Sequence, residues 1–223
     1  MKFTQYSDKA TMMTALAALV ADQLREGISD EGRATLAVPG GTTPGPMFDA
    51  LCKADLDWAK VGVLLTDERW VPEDSDRSNT KLLRERLLIA NAAAATYIPL
   101  YADAPKPEEK LGDLAENLAG HLPLTVAVLG MGADMHTASI FPEADRLNEA
   151  LTGDDLLVAM RAPGAPEPRI TLSAKVLNEA AHRHIVIVGA EKREALERAK
   201  TLPAEAAPVS AILSGTTVHW ADA

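Results

Sequence analysis

Only one cysteine, Cys52, occurs among the 223 residues, so no internal disulfide can form and a cysteine-rich zinc site is excluded. A reducing, cytoplasmic setting is the simplest expectation. No stretch approaches the ~20 apolar residues that a membrane span needs, and residues 1–25 lack the apolar core and small-residue cleavage site of a secretory signal. Basic side chains are also few: 22 Lys and Arg face 32 Asp and Glu, for a formal charge of −10. That balance opposes non-specific binding to nucleic acid or an anionic membrane, and neither is expected as a partner. An anionic small substrate requires cations gathered in one place.

What is present is material for a core, since 47% of the residues are hydrophobic. Short β-rich apolar runs alternate with segments of helical period. Residues 8–26 place Met13, Leu16, Ala17, Val20 and Leu24 on one helical stripe, with Ser7 as N-cap and Gly27 as stop. Strands are expected over 33–38, 61–66, 96–101, 124–130, 156–163, 184–190 and 217–222, and helices over 45–53, 79–93, 107–120, 173–181 and 191–201. Several strand runs are apolar throughout, as parallel strands covered on both faces are. The order predicts a doubly wound, mostly parallel α/β sheet with helices on both faces, built as a single domain over residues 1–223.

Ligands of open α/β sheets bind beyond the carboxyl ends of the strands, and the informative segments lie there. In VPGGTTPGP (38–46), Gly40 and Gly41 permit close backbone approach, Thr42 and Thr43 bring hydroxyls, and a following helix N-terminus favours an anion. Such glycines are equally common as plain turn residues, and the loop lacks the lysine and spacing of a Walker motif. LGMGADMHTASIFP (129–142) starts like a dinucleotide fingerprint, but Met135 stands where a third glycine would allow close helix–strand packing, so no nicotinamide cofactor is expected. Asp134 and His136 form no ligand spacing with His121, His182, His184 or His219, so no metal is expected either. His182-x-His184 reads as a solvated strand entrance. Two roles remain for His136: acid–base work, because imidazole exchanges protons near neutrality, or fixing its loop by hydrogen bonds.

LGMGADMHTASIFP resembles the G-M-G-x-D-G-H-T-A-S-L-F-P signature of the 6-phosphogluconolactonases, and other segments match that family in order. VPGGTTP resembles its phosphate loop, LLTDERWVPEDSDRSN its Asp-Glu-Arg segment followed by Ser-Asn, and PRITLS and VGAEKREAL its later segments, over roughly residues 33–200. The resemblance implies hydrolysis of 6-phospho-D-glucono-1,5-lactone in the oxidative pentose phosphate pathway, without metal or organic cofactor, by a monomer or homodimer. It makes His136 the general base that activates water, with Asp134 orienting it or shaping its turn. Phosphate recognition falls to Gly40, Gly41, Thr42, Arg69, Asn79, Arg169 and Lys192, arginine by paired hydrogen bonds and lysine as a point charge.

Each of these has a structural alternative. Arg69 can pair with Asp67 or Glu68, Lys192 can be solvated, and Ser78 and Asn79 can cap the next helix. Cys52 reads as a small core residue. Met135 replaces a glycine of the family; at positive φ it carries a strain of order 1 kcal/mol, and otherwise it sets a side chain beside the substrate. Glucosamine-6-phosphate deaminases are the nearest alternative, but their loop continues H-I-A-F-N-E-P and their strand end reads Asp-Glu-Tyr. Here Glu143 follows Pro142 and the strand end reads Asp67-Glu68-Arg69. A non-catalytic sugar-phosphate-binding protein is the other alternative, separable by turnover.

Overall fold

In the computed structural model, which describes residues 1–222, the chain opens with an edge strand, β1 (Lys2–Tyr6), and a 23-residue helix, α1 (Lys9–Glu31). The predicted apolar stripe of α1 is buried, with Met13, Leu16, Ala17, Val20 and Leu24 all at most 4% exposed. Its ends differ from the prediction. Asp8, not Ser7, caps the helix, its carboxylate accepting from the Thr11 N–H at 2.8 Å, because a β-region residue directly before the first turn is the one whose side chain reaches that N–H. The helix also runs through Gly27 and stops at Gly32, which has φ 74°. Gly27 serves packing: a Cβ there would lie 2.6 Å from Thr125 Cγ2, so its absence lets α1 approach the sheet.

The elements that follow are β2 (Ala34–Val38), α2 (Gly45–Leu51), β3 (Val61–Leu65), β4 (Asp67–Arg69), α3 (Asn79–Arg86), β5 (Thr96–Tyr97), α4 (Leu111–Ala119) and β6 (Val126–Gly130). After them come α5 (Leu147–Thr152), β7 (Leu157–Met160), β8 (Arg169–Leu172), α6 (Ala174–Asn178), β9 (His182–Val188), α7 (Ala190–Ala199) and β10 (Thr217–Ala221). Seven strands form a parallel sheet in the order β1-β10-β9-β6-β2-β3-β5. Every residue of β2 and β3 is buried, which is why these runs carry no polar alternation; burying one Val or Leu side chain contributes about 1.5–3 kcal/mol. The architecture is the doubly wound α/β sheet that the apolar runs predict.

Parallel pairing sends the carboxyl ends of β2, β6 and β9 to one edge, with Gly130 of β6 opposite Val186 of β9. A second, antiparallel sheet of three strands, β4-β8-β7, stands beside that edge. Thr66 joins the two: its N–H donates to the Val38 carbonyl at 2.8 Å, while its carbonyl accepts from the Leu172 N–H at 3.0 Å.

Several expected elements are shorter. The 79–93 helix ends at Arg86, because Ile89 is extended and Ala90 has φ 50°, and a 3-10 turn covers Ala90–Ala94. The 107–120 helix divides into a 3-10 turn, Pro107–Glu109, and α4. Of 96–101 only Thr96–Tyr97 pairs with β3, and Pro99, lacking an N–H, cannot extend the ladder. His184 is not at a solvated strand entrance: β10 and β1 lie outside β9, and His184 is 3% exposed. Its Nε2 meets Gln23 Oε1 at 2.9 Å and its Nδ1 meets His219 Nε2 at 3.0 Å, while His219 Nδ1 meets the Tyr6 hydroxyl at 2.8 Å. Cys52 is a buried core residue, as expected.

Candidate active site

The histidine loop leaves β6 at Gly130 and folds back at once. Thr137 Oγ1 donates to the Gly130 carbonyl at 2.9 Å, the Gly132 N–H to the His136 carbonyl at 3.0 Å, and the Met135 N–H to the Gly132 carbonyl at 3.0 Å. A Cβ at Gly132 would overlap Asp134 Oδ1 and the His136 ring, so only glycine fits this turn. Asp134 both orients the histidine and shapes the turn. Its Oδ1 lies 2.6 Å from His136 Nδ1 and accepts from the His136 N–H at 3.3 Å. A carboxylate only accepts, so Nδ1 carries the hydrogen and Nε2 is left as the basic nitrogen. The hydrogen bond from His136 holds the Asp134 carboxyl below its ordinary pKa. The half-buried ring lies against Phe141, centroids 4.3 Å apart.

Met135 has φ 67°, the glycine-like conformation, so it bears the left-handed strain of ~1–2 kcal/mol. Its carbonyl accepts from the Val209 N–H at 3.0 Å, and its half-buried side chain packs on the core instead of lining the pocket.

Facing the histidine is a cationic wall on the small sheet. Arg69 and Arg169 are direct cross-strand partners on β4 and β8. Arg69 pairs with neither Asp67 nor Glu68; its Nη1 donates to the Arg77 carbonyl at 2.9 Å. Arg169 is 9% exposed and has Asp67 Oδ2 4.0 Å from its Nη1. Burial pushes the Arg169 pKa down, Asp67 pushes it up, and Arg69 adds to the lowering. The Nε atoms of Arg69 and Arg169 are buried with no hydrogen-bond partner among the described residues. Asp67 is held in turn by Ser139 Oγ, which donates to Oδ2 at 2.5 Å.

These groups surround a pocket of about 360 Å³, a size suited to a small polar metabolite. Its walls include Gly40, Gly41, Arg69, Asn79, His136, Arg169 and Lys192. Lys192 stands in the first turn of α7. Asn79, 7% exposed, donates from Nδ2 to the Asp67 carbonyl at 3.3 Å, and a Cβ at Gly40 would overlap its amide. Ser78 is the N-cap of α3. Among the described residues, the N–H groups of Gly40, Gly41, Thr42 and Thr43 have no acceptor.

Two predicted residues do not line the pocket. Thr42 is exposed, and the turn at Gly41, φ 81°, brings Thr43 to the wall in its place; Asp134 stands behind His136. Asp67 and Phe141 do line it and were missed. The signal for Asp67 is its spacing from Arg69, since residues two apart on a strand share a face. No group of three His, Cys, Asp or Glu side chains among the described residues is placed to hold a metal ion.

Residues 7–220 match the family described as glucosamine-6-phosphate isomerases/6-phosphogluconolactonase. The chain is 40% identical over 225 residues to a 6-phosphogluconolactonase of Rhizobium meliloti, covering 97% of each chain. It is also 40% identical to one of Pseudomonas aeruginosa, over 96% of this chain and 92% of that one. A crystal structure of a 6-phosphogluconolactonase from Shewanella baltica superposes with a TM-score of 0.96 at 34% identity, covering 100% of this chain and 97% of the other. The chain therefore belongs to the glucosamine-6-phosphate isomerase/6-phosphogluconolactonase family.

Proposed function

We propose that this pocket holds 6-phospho-D-glucono-1,5-lactone by its phosphate and opens the ring with a water molecule activated by His136. The reaction is hydrolysis of the lactone to 6-phospho-D-gluconate, a step of the oxidative pentose phosphate pathway. One observation carries the phosphate assignment: the cross-strand pair Arg69 and Arg169, each with a buried Nε that no acceptor among the described residues satisfies. Like charges directly opposite on antiparallel strands repel, and an unsatisfied buried donor costs ~1–3 kcal/mol. A phosphate between the two guanidiniums offsets both costs and accepts charge-assisted hydrogen bonds from each. Lys192 and the N–H groups at Gly40 and Gly41 supply further positive character to the same pocket. These few cations explain how a chain of net charge −10 holds an anion, since its remaining surface charge is screened over about 8–10 Å.

The hydrogen bond to Asp134 fixes the tautomer of His136, so Nε2 takes a proton from water as the oxygen attacks the lactone carbonyl. Ionised Asp134 stabilises the imidazolium that forms. The tetrahedral oxyanion collapses by breaking the bond to the ring oxygen, which leaves as a hydroxyl with the proton returned from His136. Backbone N–H groups of the glycine loops or a neighbouring cation stabilise the oxyanion. No metal or organic cofactor enters these steps. The chain works as a single cytoplasmic domain, as a monomer or homodimer.

The test is turnover. Freshly generated lactone should disappear faster than it hydrolyses spontaneously, with 6-phosphogluconate as product. Release of ammonia from glucosamine 6-phosphate in place of lactone hydrolysis refutes the proposal in favour of a deaminase, and binding without turnover favours a sugar-phosphate-binding protein.

A further inference from the structure

Glu68 stands between two residues of the pocket wall, yet its own side chain points away from the pocket, into the protein. It is 1% exposed, and a buried carboxylate is costly unless donors surround it. Five do. Oε1 accepts from the Arg69 N–H at 2.7 Å and the Asn79 N–H at 2.9 Å. Oε2 accepts from Ser78 Oγ at 3.0 Å, the Thr80 N–H at 2.7 Å and Thr80 Oγ1 at 2.7 Å. Three of these donors are backbone groups, so the carboxylate holds main chain and leaves the neighbouring side chains free to face the ligand.

The two oxygens close a ring. Oε1 bridges β4 to the first residue of α3, and the segment between them, residues 70–78, is drawn shut at its base. That closure places the Arg77 carbonyl where Arg69 Nη1 donates to it, which turns the Arg69 guanidinium and leaves its Nε without a partner among the described residues. At the other side it seats Asn79, whose amide packs against Gly40 of the glycine loop. Arg69, Asn79 and Gly40 all line the pocket. The negative charge also meets the first N–H groups of α3, where the helix dipole favours an anion.

We propose that Glu68 is a positioning residue for phosphate, which fixes Arg69 and Asn79 at their reach into the pocket without touching the substrate. This rests on the phosphate reading of the Arg69–Arg169 wall. Misplacing a binding group by about 1 Å can cost up to ~100-fold, so loss of the Glu68 frame acts on ligand affinity, whereas His136, held by Asp134 and the Gly132 turn of its own loop, keeps its geometry.

The experiment compares wild type with Glu68→Gln and Thr80→Val, measuring kcat and KM for the phospholactone and the inhibition constant of inorganic phosphate. Glutamine presents an NH2 group to one of the two donor sets and so sets donor against donor. Thr80→Val keeps the N–H and removes only the hydroxyl, a milder change should Glu68→Gln fail to fold. The expected result is a rise of about tenfold in both KM and the phosphate inhibition constant for Glu68→Gln, and of about threefold for Thr80→Val, with kcat changed by less than about threefold. A folded Glu68→Gln or Thr80→Val protein whose KM and phosphate inhibition constant stay at wild-type values overturns the proposal, as does a fall in kcat with KM unchanged. If phosphate fails to inhibit the wild type, the phosphate reading itself falls, and Glu68 has no phosphate site to position.

Discussion

Lowering the pH from 7 to 5 should destabilise the fold by about 4 kcal/mol through His184 and His219 alone. Burial pushes His184 down to about 3, helped by the charges of His219 and His182, and pushes His219 down to about 4, helped by Lys2. Both are therefore neutral in the folded protein, and their hydrogen bonds agree. Gln23 Oε1 accepts from His184 Nε2, so His184 Nδ1 accepts from His219 Nε2, and His219 Nδ1 accepts from the Tyr6 hydroxyl. Neither ring of this hydrogen-bonded pair has a nitrogen free to take another proton. In the unfolded state each histidine titrates near 6.5. Below that pH the unfolded chain binds protons that the folded one does not, so stability falls as pH falls from about 6.5 toward 4 and 3.

At pH 5 the interval is 1.5 pH units at about 1.36 kcal/mol each, or roughly 2 kcal/mol per histidine, whatever the folded value provided it is well below 5. The assay is chemical and thermal unfolding at pH 7.0 and 5.0. For a chain of this size about 4 kcal/mol corresponds to a Tm lower by ~8–16 °C. The double variant His184→Gln/His219→Gln, which keeps donors and acceptors but does not titrate here, should lose most of this dependence. Equal stability of the wild type at the two pH values, or an undiminished slope in the double variant, would falsify the assignment.

Four variants probe the site. His136→Ala should lower kcat by about 10²–10⁴ with KM within about threefold, and Asp134→Asn should lower kcat less, by offering the wrong hydrogen-bond partner to Nδ1; steady-state kinetics on fresh lactone decides, and an unchanged kcat in His136→Ala removes the general base. Arg69→Ala should raise KM by roughly 10–100-fold with a smaller effect on kcat, since it removes a bond made in ground and transition states alike; a KM at the wild-type value shows that the phosphate lies elsewhere. Met135→Gly should leave kcat within about threefold and stability within ~1 kcal/mol, because relief of left-handed strain is offset by lost packing and a freer unfolded chain; a gain of tenfold in kcat would mean that methionine misaims the histidine.

The large sheet was readable because fully buried parallel strands are written as unbroken apolar runs, such as ATLAV and VGVLL. The small sheet was not. Asp67–Arg69 is three polar residues long, and its partner β8 lies about 100 residues away, so neither period nor propensity marks it. The loops were legible as chemistry and less so as geometry. The motif GMGADMHTASIFP points to His136 and Asp134, but that Asp134 holds the ring as well as the turn is visible only in a 2.6 Å contact. Thr42 and Thr43 are equivalent on paper, and the positive φ of Gly41 selects Thr43. His184 looked solvated because nothing in a local pattern reveals that β10 and β1 will flank its strand.

The meeting of two sheets at Thr66 divides the labour of the pocket. His136 and Asp134 follow a strand of the parallel sheet and the paired arginines stand on the antiparallel one, so on the proposed reading a bound sugar phosphate would act as a cross-brace between two frames. Phosphate binding should accordingly slow amide exchange in the small sheet. The same division makes the headgroup an interchangeable part: rebuilding positions 69 and 169 for a different acid or a neutral sugar would retarget the pocket while the histidine and its aspartate stay in place.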